Sequence, residues 1–178
     1  MIKAHHREIL NFSTPLLLGM ISQNLMGIID TAFIGMLGTS SLAAAGLSFF
    51  ILFTHTAPLL GLAIAVQTLT AKRVGAKEAG IVAFPLNSAL VISCLFGIPI
   101  TLMALGYIEE LLSLMTSDPA TVKEGVSYMN TRLWGIVAIG ITHSFRGFWN
   151  GLSKTRVYLG IVVIMHISNA LLSYSLMF

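Results

Sequence analysis

Five apolar stretches follow one another along the chain, at about 10–36, 42–71, 81–107, 126–149 and 156–178. Each is near the roughly 20 residues that a helix needs to cross a bilayer. In lipid, only α-helices and closed barrels satisfy their own backbone groups. These stretches are too long for barrel strands and show no clean two-residue alternation. The expected fold class is therefore all-α: a polytopic transmembrane helix bundle of five spans. Composition agrees, since only 10% of the 178 residues are charged, against about 25% in a soluble domain. The 16 glycines, often beside Ala or Ser, suit close packing between membrane helices. Pro15, Pro58, Pro85 and Pro99 fall inside or near the starts of these stretches and predict kinks or caps.

The polar gaps orient the bundle. Lys3, Arg7, Lys72, Arg73, Lys77, Arg146, Lys154 and Arg156 fall on one side, which is eight of the ten Lys and Arg residues. The other side holds the uncharged turn "GTSS" and the acidic gap "YIEELLSLMTSDPATVKEG", with Lys123 and Arg132. The positive-inside bias places the N-terminus in the cytoplasm. Arg132 and Arg146 are expected to reach the outer and inner interfaces. In the acidic gap, "EELLSLM" reads as a short interfacial helix. Ser117 or Asp118 reads as an N-cap, with Pro119 at the first helical position. The net charge of +3 forms no basic surface patch, so nucleic acid is not an expected partner, whereas membrane lipid is. Cys94 is the single cysteine, which excludes an intrachain disulfide.

Asp30 is the polar residue hardest to explain as packing. It lies in "MGIIDTAFIGMLG", with no Lys or Arg within twenty residues on either side. The outer turn is eight residues away, about 12 Å of helix. An aspartate is too short to reach water over that distance. It must face a watery cavity, meet a partner, or hold a proton, and desolvation favours the protonated form. Gly27, Met26 and Gln23 precede it by three, four and seven residues and share its helix face. That stripe of small, soft and amide-bearing side chains fits the wall of a cavity. The plainer alternative is a hydrogen bond from Asp30 to a neighbouring helix, with the glycines serving close packing. His55, His143 and His166 also fall within spans, where a histidine can relay protons or join two helices.

The chain holds no H-E-x-x-H zinc motif, G-x-S-x-G elbow or Walker A loop. Nothing in it calls for an enzyme, a metal or a cofactor. The adjacent histidines of "HHRE" would diverge on a helix, which makes a poor metal site.

Four stretches carry a resemblance. "IIDTAFIGMLGTSSLAAAGLS" resembles the first-helix and turn signature of the multidrug and toxic compound extrusion (MATE) transporters. "QTLTAKRVGAKEAG" resembles the family's gap after its second helix. In "FRGFWNGLSKTRVYL", Arg146, Gly147, Gly151 and Thr155 match the R-G-x-x-x-G-x-x-x-T pattern after its fourth. "HISNALLSYSLMF" resembles its fifth-helix N-x-x-N-x-x-L-[ND]-Y pattern. The four occur in the family's order and run the length of the chain.

The resemblance implies a fold of twelve helices in two six-helix lobes, of which residues 1–178 would supply helices one to five. The still-apolar end at Phe178 fits a chain that continues into helix six and a second lobe. The implied activity is antiport: export of varied, mostly cationic organic compounds, driven by H⁺ or Na⁺ entering across a bacterial inner membrane. Asp30 matches the family's ion-coupling acid, and Pro15 a proline associated with a bend in helix one. Asn169 matches a fifth-helix asparagine at the cavity. Ser173 stands where the family carries Asp or Asn, and His166 at an earlier asparagine position. The implied cavity therefore gathers Asp30, Gln23, Met26, Gly27, Asn169 and Ser173, with protonation of Asp30 favoured over Na⁺ ligation. Two other readings remain at this point: a flippase of related fold for lipid-linked precursors, and a helical membrane fragment that transports nothing by itself.

Overall fold

Gly38 is the single residue between the first two helices. Its backbone, at φ 132° and ψ 169°, lies in a region open to glycine alone. In the computed structural model, which describes residues 2–177 and the side chains of 9–175, helix α1 spans Ile2–Leu37 and α2 spans Thr39–Gly75. A loop with a short 3-10 turn leads to α3, Phe84–Met115. Next come α4, Pro119–Arg132, and α5, Ile136–Gly151, joined by a 3-10 turn at Leu133–Gly135. The last element is α6, Thr155–Met177. Among the described residues there is no strand.

Four stretches are helices long and apolar enough to cross a membrane: Ile9–Leu37, Thr39–Gly75, Ala79–Met115 and Thr155–Ser175. The stretch expected at 126–149 is divided between α4 and α5, neither of which alone has that length. Backbone angles stay right-handed helical through the intervening turn, so the two helices continue in one direction. At the break, the Thr101 hydroxyl of α3 donates to the Leu133 carbonyl at 3.0 Å. A 3-10 turn leaves a carbonyl short of its usual partner, and this buried hydroxyl supplies one.

Two readings of the acidic gap change. "EELLSLM" is not a separate interfacial helix but the last two turns of α3, which runs unbroken to Met115. No Gly or Pro interrupts residues 107–115, so the helix has no reason to stop. The cap is Asp118 rather than Ser117: its carboxylate accepts the Thr121 amide at 3.0 Å and also the Thr121 hydroxyl. These bonds hold the Asp118 carboxyl below the usual carboxylate range.

Six hydroxyls within the helices are satisfied by their own helix, whereas those of Ser48, Thr70, Ser93 and Tyr158 are buried without a partner among the described residues. The hydroxyls of Thr31, Thr54, Thr56, Thr68, Thr142 and Ser144 each donate to the carbonyl four residues earlier. That pairing lets a hydroxyl enter lipid without needing another helix.

The core lies between α2, α3, α4 and α5. Ile51, Leu52, Leu59, Ala104, Ile108, Leu112, Met129, Leu133 and Ile136 form its apolar cluster. Alongside the cluster, α5 approaches α2 and α3 through glycines. A Cβ on Gly151 would lie 2.7 Å from the Gln67 carbonyl oxygen, and one on Gly140 2.9 Å from Ser93 Oγ. In lipid, where apolar surface gains nothing by meeting other apolar surface, close backbone approach is what holds helices together. Helix α1 sits outside this core and leans on α6, with Gly19 set against the Tyr158 ring.

Two turns at the end of the bundle where α1 begins have the same form. After α2, the Lys77 amide bonds the Val74 carbonyl and the Glu78 amide that of Arg73. After α5, the Ser153 amide bonds Asn150 and the Lys154 amide bonds Trp149. Both are Schellman closures, in which a left-handed residue ends the helix. Here that residue is Lys77 or Ser153, each at φ 59°, instead of glycine.

Candidate functional site: a groove between α1, α2 and α4

Asp30 is half-buried and its carboxyl has no hydrogen bond or ion pair with any described residue. It lines a groove of about 810 Å³. Helix α1 contributes Gln23, Asn24, Gly27, Asp30 and Thr31, α2 contributes Leu42, Ala45, Gly46 and Phe49, and α4 contributes Tyr128 and Arg132. The α1 residues recur at three- and four-residue intervals, which is why one helix can set an amide, a gap and a carboxyl in a row. Gly27 leaves open space: a Cβ there would meet nothing within 4 Å. The Thr31 hydroxyl is turned back to the Gly27 carbonyl at 2.7 Å. The unengaged polar groups of this wall are thus the carboxyl and the two amides.

The groove brings together Gln23, Gly27 and Asp30 of the expected set. Met26 is buried, 8% exposed, and does not line it. Asn169 is exposed on α6 and borders a separate groove of about 410 Å³, with Ile161, Ile164, Met165, Ser168 and Leu172. Ser173, half-buried further along α6, lines neither. Pro15 is buried within α1, fifteen residues before Asp30.

The histidines hold helices together. His55 Nδ1 donates to the Ile51 carbonyl at 2.7 Å, and its Nε2 meets the Tyr107 hydroxyl of α3. His166 Nδ1 is hydrogen-bonded to the Ser22 hydroxyl at 2.7 Å, joining α6 to α1. His143 is half-buried on α5. Among the described residues, no three His, Cys, Asp or Glu side chains meet as a metal site would require.

Arg132 is the groove residue that sequence reasoning missed. It lines the groove that holds Asp30, with its guanidinium 5.4 Å from the centre of the Tyr128 ring. The two opposite charges share a groove without forming an ion pair. One signal in the sequence points this way: Arg132 lies fourteen residues beyond the Asp118 cap, about 21 Å of helix, which is deep for an interfacial side chain.

A half-buried free carboxyl, two amides, the Phe49 ring and an apolar wall are groups that can take up an organic cation, while the Arg132 guanidinium against the Tyr128 ring is a competing positive charge in the same groove.

Comparison with known proteins gives a consistent answer. The family model MatE matches residues 15–175. A probable multidrug resistance protein NorM of Rhodopseudomonas palustris is 32% identical over 95% of this chain and 35% of its own length. Another of that name, from Synechococcus sp., is 28% identical over 98% of this chain and 38% of its own. Among solved structures, the outward-facing conformation of a multidrug resistance MATE family transporter superposes with a TM-score of 0.87, at 26% identity, over 93% of this chain and 37% of that one. The chain thus spans a little over a third of the length of the proteins it matches. A family match across nearly its whole length, on an all-helical membrane fold, places this chain in the MatE family of multi-pass membrane transporters.

Proposed function

We propose that this chain forms part of the N-terminal lobe of an ion-coupled antiporter that exports small organic cations, with Asp30 as the coupling acid. The observation that carries this reading is the free, half-buried Asp30 carboxyl on a groove of about 810 Å³. Ionised, the carboxyl holds a cation against the aromatic and apolar walls. Protonated, it loses that attraction and releases the cargo. Ion and cargo thereby compete for one group, and alternating access of the groove turns the competition into exchange.

The reading prefers H⁺ to Na⁺ as the coupling ion. Among the described residues Asp30 is the one acid lining the groove, and neither Asn169 nor Ser173 lines it, so a desolvated Na⁺ would find one carboxylate and the amide oxygens of Gln23 and Asn24, a sparse shell for a hard cation. Further helices of the transporter would cover α1 and α6, the two spans with the least burial. The same reading sets the N-terminus in the cytoplasm of a bacterial inner membrane, by the distribution of Lys and Arg.

The test is efflux of a fluorescent organic cation from cells producing the protein as its gene encodes it, with the H⁺ and Na⁺ gradients collapsed separately. Asp30→Asn should abolish efflux while leaving the protein in the membrane. Collapse of the H⁺ gradient should stop export and collapse of the Na⁺ gradient should not. Undiminished export by Asp30→Asn refutes the role given to Asp30. Absence of export by the unaltered protein, with lipid-linked precursors translocated instead, would establish the flippase reading. Absence of both would leave a non-transporting bundle.

A further inference from the structure

We infer that Arg132 sets the cargo specificity of the Asp30 groove, favouring organic zwitterions that carry a carboxylate beside their cation over plain cations. This rests on the role proposed for Asp30, which holds the cation. Arg132 adds a second contact from another helix, α4, and reads the anionic end of the same molecule.

Three features of the groove point this way. The first is its charge. Among the described residues, Asp30 and Arg132 are the two charged side chains on the lining, which is therefore neutral overall. A groove for plain cations gains nothing from a guanidinium that repels them.

The second is that the two charges stay apart. Opposite charges attract strongly where water is scarce, yet no ion pair or hydrogen bond joins Asp30 to Arg132. The guanidinium lies instead 5.4 Å from the centre of the Tyr128 ring, one turn earlier on α4. The ring face attracts the cation but leaves its N–H donors without an oxygen among the described residues. A carboxyl and a guanidinium in one groove are thus both open to a ligand.

The third is the anchoring of the Arg132 backbone. Leu133, next in the chain, is buried, and its carbonyl accepts the Thr101 hydroxyl of α3 at 3.0 Å. The Arg132 side chain, itself exposed, projects from a fixed point of the fold.

A ligand carboxylate matches the fork of guanidinium donors. A zwitterion can set its cation at the Asp30 carboxyl and its carboxylate at Arg132, so that both protein charges are paired. A plain cation pairs with Asp30 and leaves a like charge beside it.

The experiment compares rhodamine B, a cationic ring system bearing a free carboxylate, with its ethyl ester, which keeps the cation and loses the carboxylate. Binding of each dye to the purified protein, produced as its gene encodes it, is followed by fluorescence polarisation in detergent. The unaltered protein should bind the acid more tightly than the ester. Arg132→Gln should weaken binding of the acid about fivefold, the upper worth of an exposed ion pair, and strengthen binding of the ester. Arg132→Lys keeps the charge and should keep the preference for the acid. Asp30→Asn should weaken both dyes, since both present the same cation. Undiminished binding of both dyes to Asp30→Asn would refute the role of Asp30, whereas a parallel loss of both in Arg132→Gln would make Arg132 a structural residue and overturn its role in specificity. So would equal affinities for the two dyes, or tighter binding of the ester, in the unaltered protein, a comparison that requires no variant to fold.

Discussion

Gly147 on α5 rests directly against the Ala63 carbonyl of α2, so closely that a Cβ added to Gly147 would overlap that oxygen. The obstacle is backbone, which cannot rotate aside as a side chain can. Gly147→Ala should therefore force the two helices apart and cost about 3 kcal/mol or more, the upper part of the overpacking range. Gly27→Ala is the contrast. Nothing lies within 4 Å of a Cβ there, and the change removes glycine from a helix interior, which should stabilise by up to about 1 kcal/mol. Thermal unfolding of both variants in detergent, followed by tryptophan fluorescence, checks the pair. Equal stability of the two variants would contradict the packing described.

The Ser22–His166 hydrogen bond couples α1 to α6. A double-mutant cycle with Ser22→Ala and His166→Ala should return a coupling near 0.6 kcal/mol, the average for hydrogen bonds between membrane helices. Strict additivity of the two substitutions would mean the bond contributes nothing.

Asp118 gives a pH signature to the start of α4. Thr121 lowers its pKa in the folded chain below the ordinary value of 3.8, so the cap stabilises above that pH. The contribution should disappear as pH falls through the lowered folded-state value. Melting temperature measured from pH 5 downwards should fall in the unaltered protein more steeply than in Asp118→Asn. Parallel curves would exclude the cap as the source.

Ser153 holds a left-handed backbone that favours glycine, at φ 59°. Ser153→Gly should relieve that strain and stabilise the fold by about 1 kcal/mol. Ser153→Val, with its branched side chain, should destabilise by a similar amount or more. A melting temperature unaffected by both would show that the turn bears no strain.

Some of the site was legible because it lies within one helix. Gln23, Gly27 and Asp30 share a face by the three- and four-residue spacing alone, and they line one groove. The glycines of "FRGFWNG" were legible only as part of a pattern. The structure supplies their reason, which is the backbone of α2 at Ala63 and Gln67. The Asp118 cap was readable because capping is local, involving a side chain and an amide three residues on.

The chain's own order of residues determined that it is helical, where its four long apolar helices run, which polar gaps carry the positive charge, and that one carboxyl falls inside an apolar stretch. Each follows from the cost of placing a backbone or side-chain group in hydrocarbon, and that cost is felt residue by residue. Only the tertiary structure decided that Arg132 joins Asp30 in one groove while Asn169 borders another and Ser173 lines neither. Those placements depend on how each helix is rotated about its axis against its neighbours. That rotation is set by contacts between residues far apart in the chain, such as Gly147 with Ala63 and Ser22 with His166, which no local periodicity encodes.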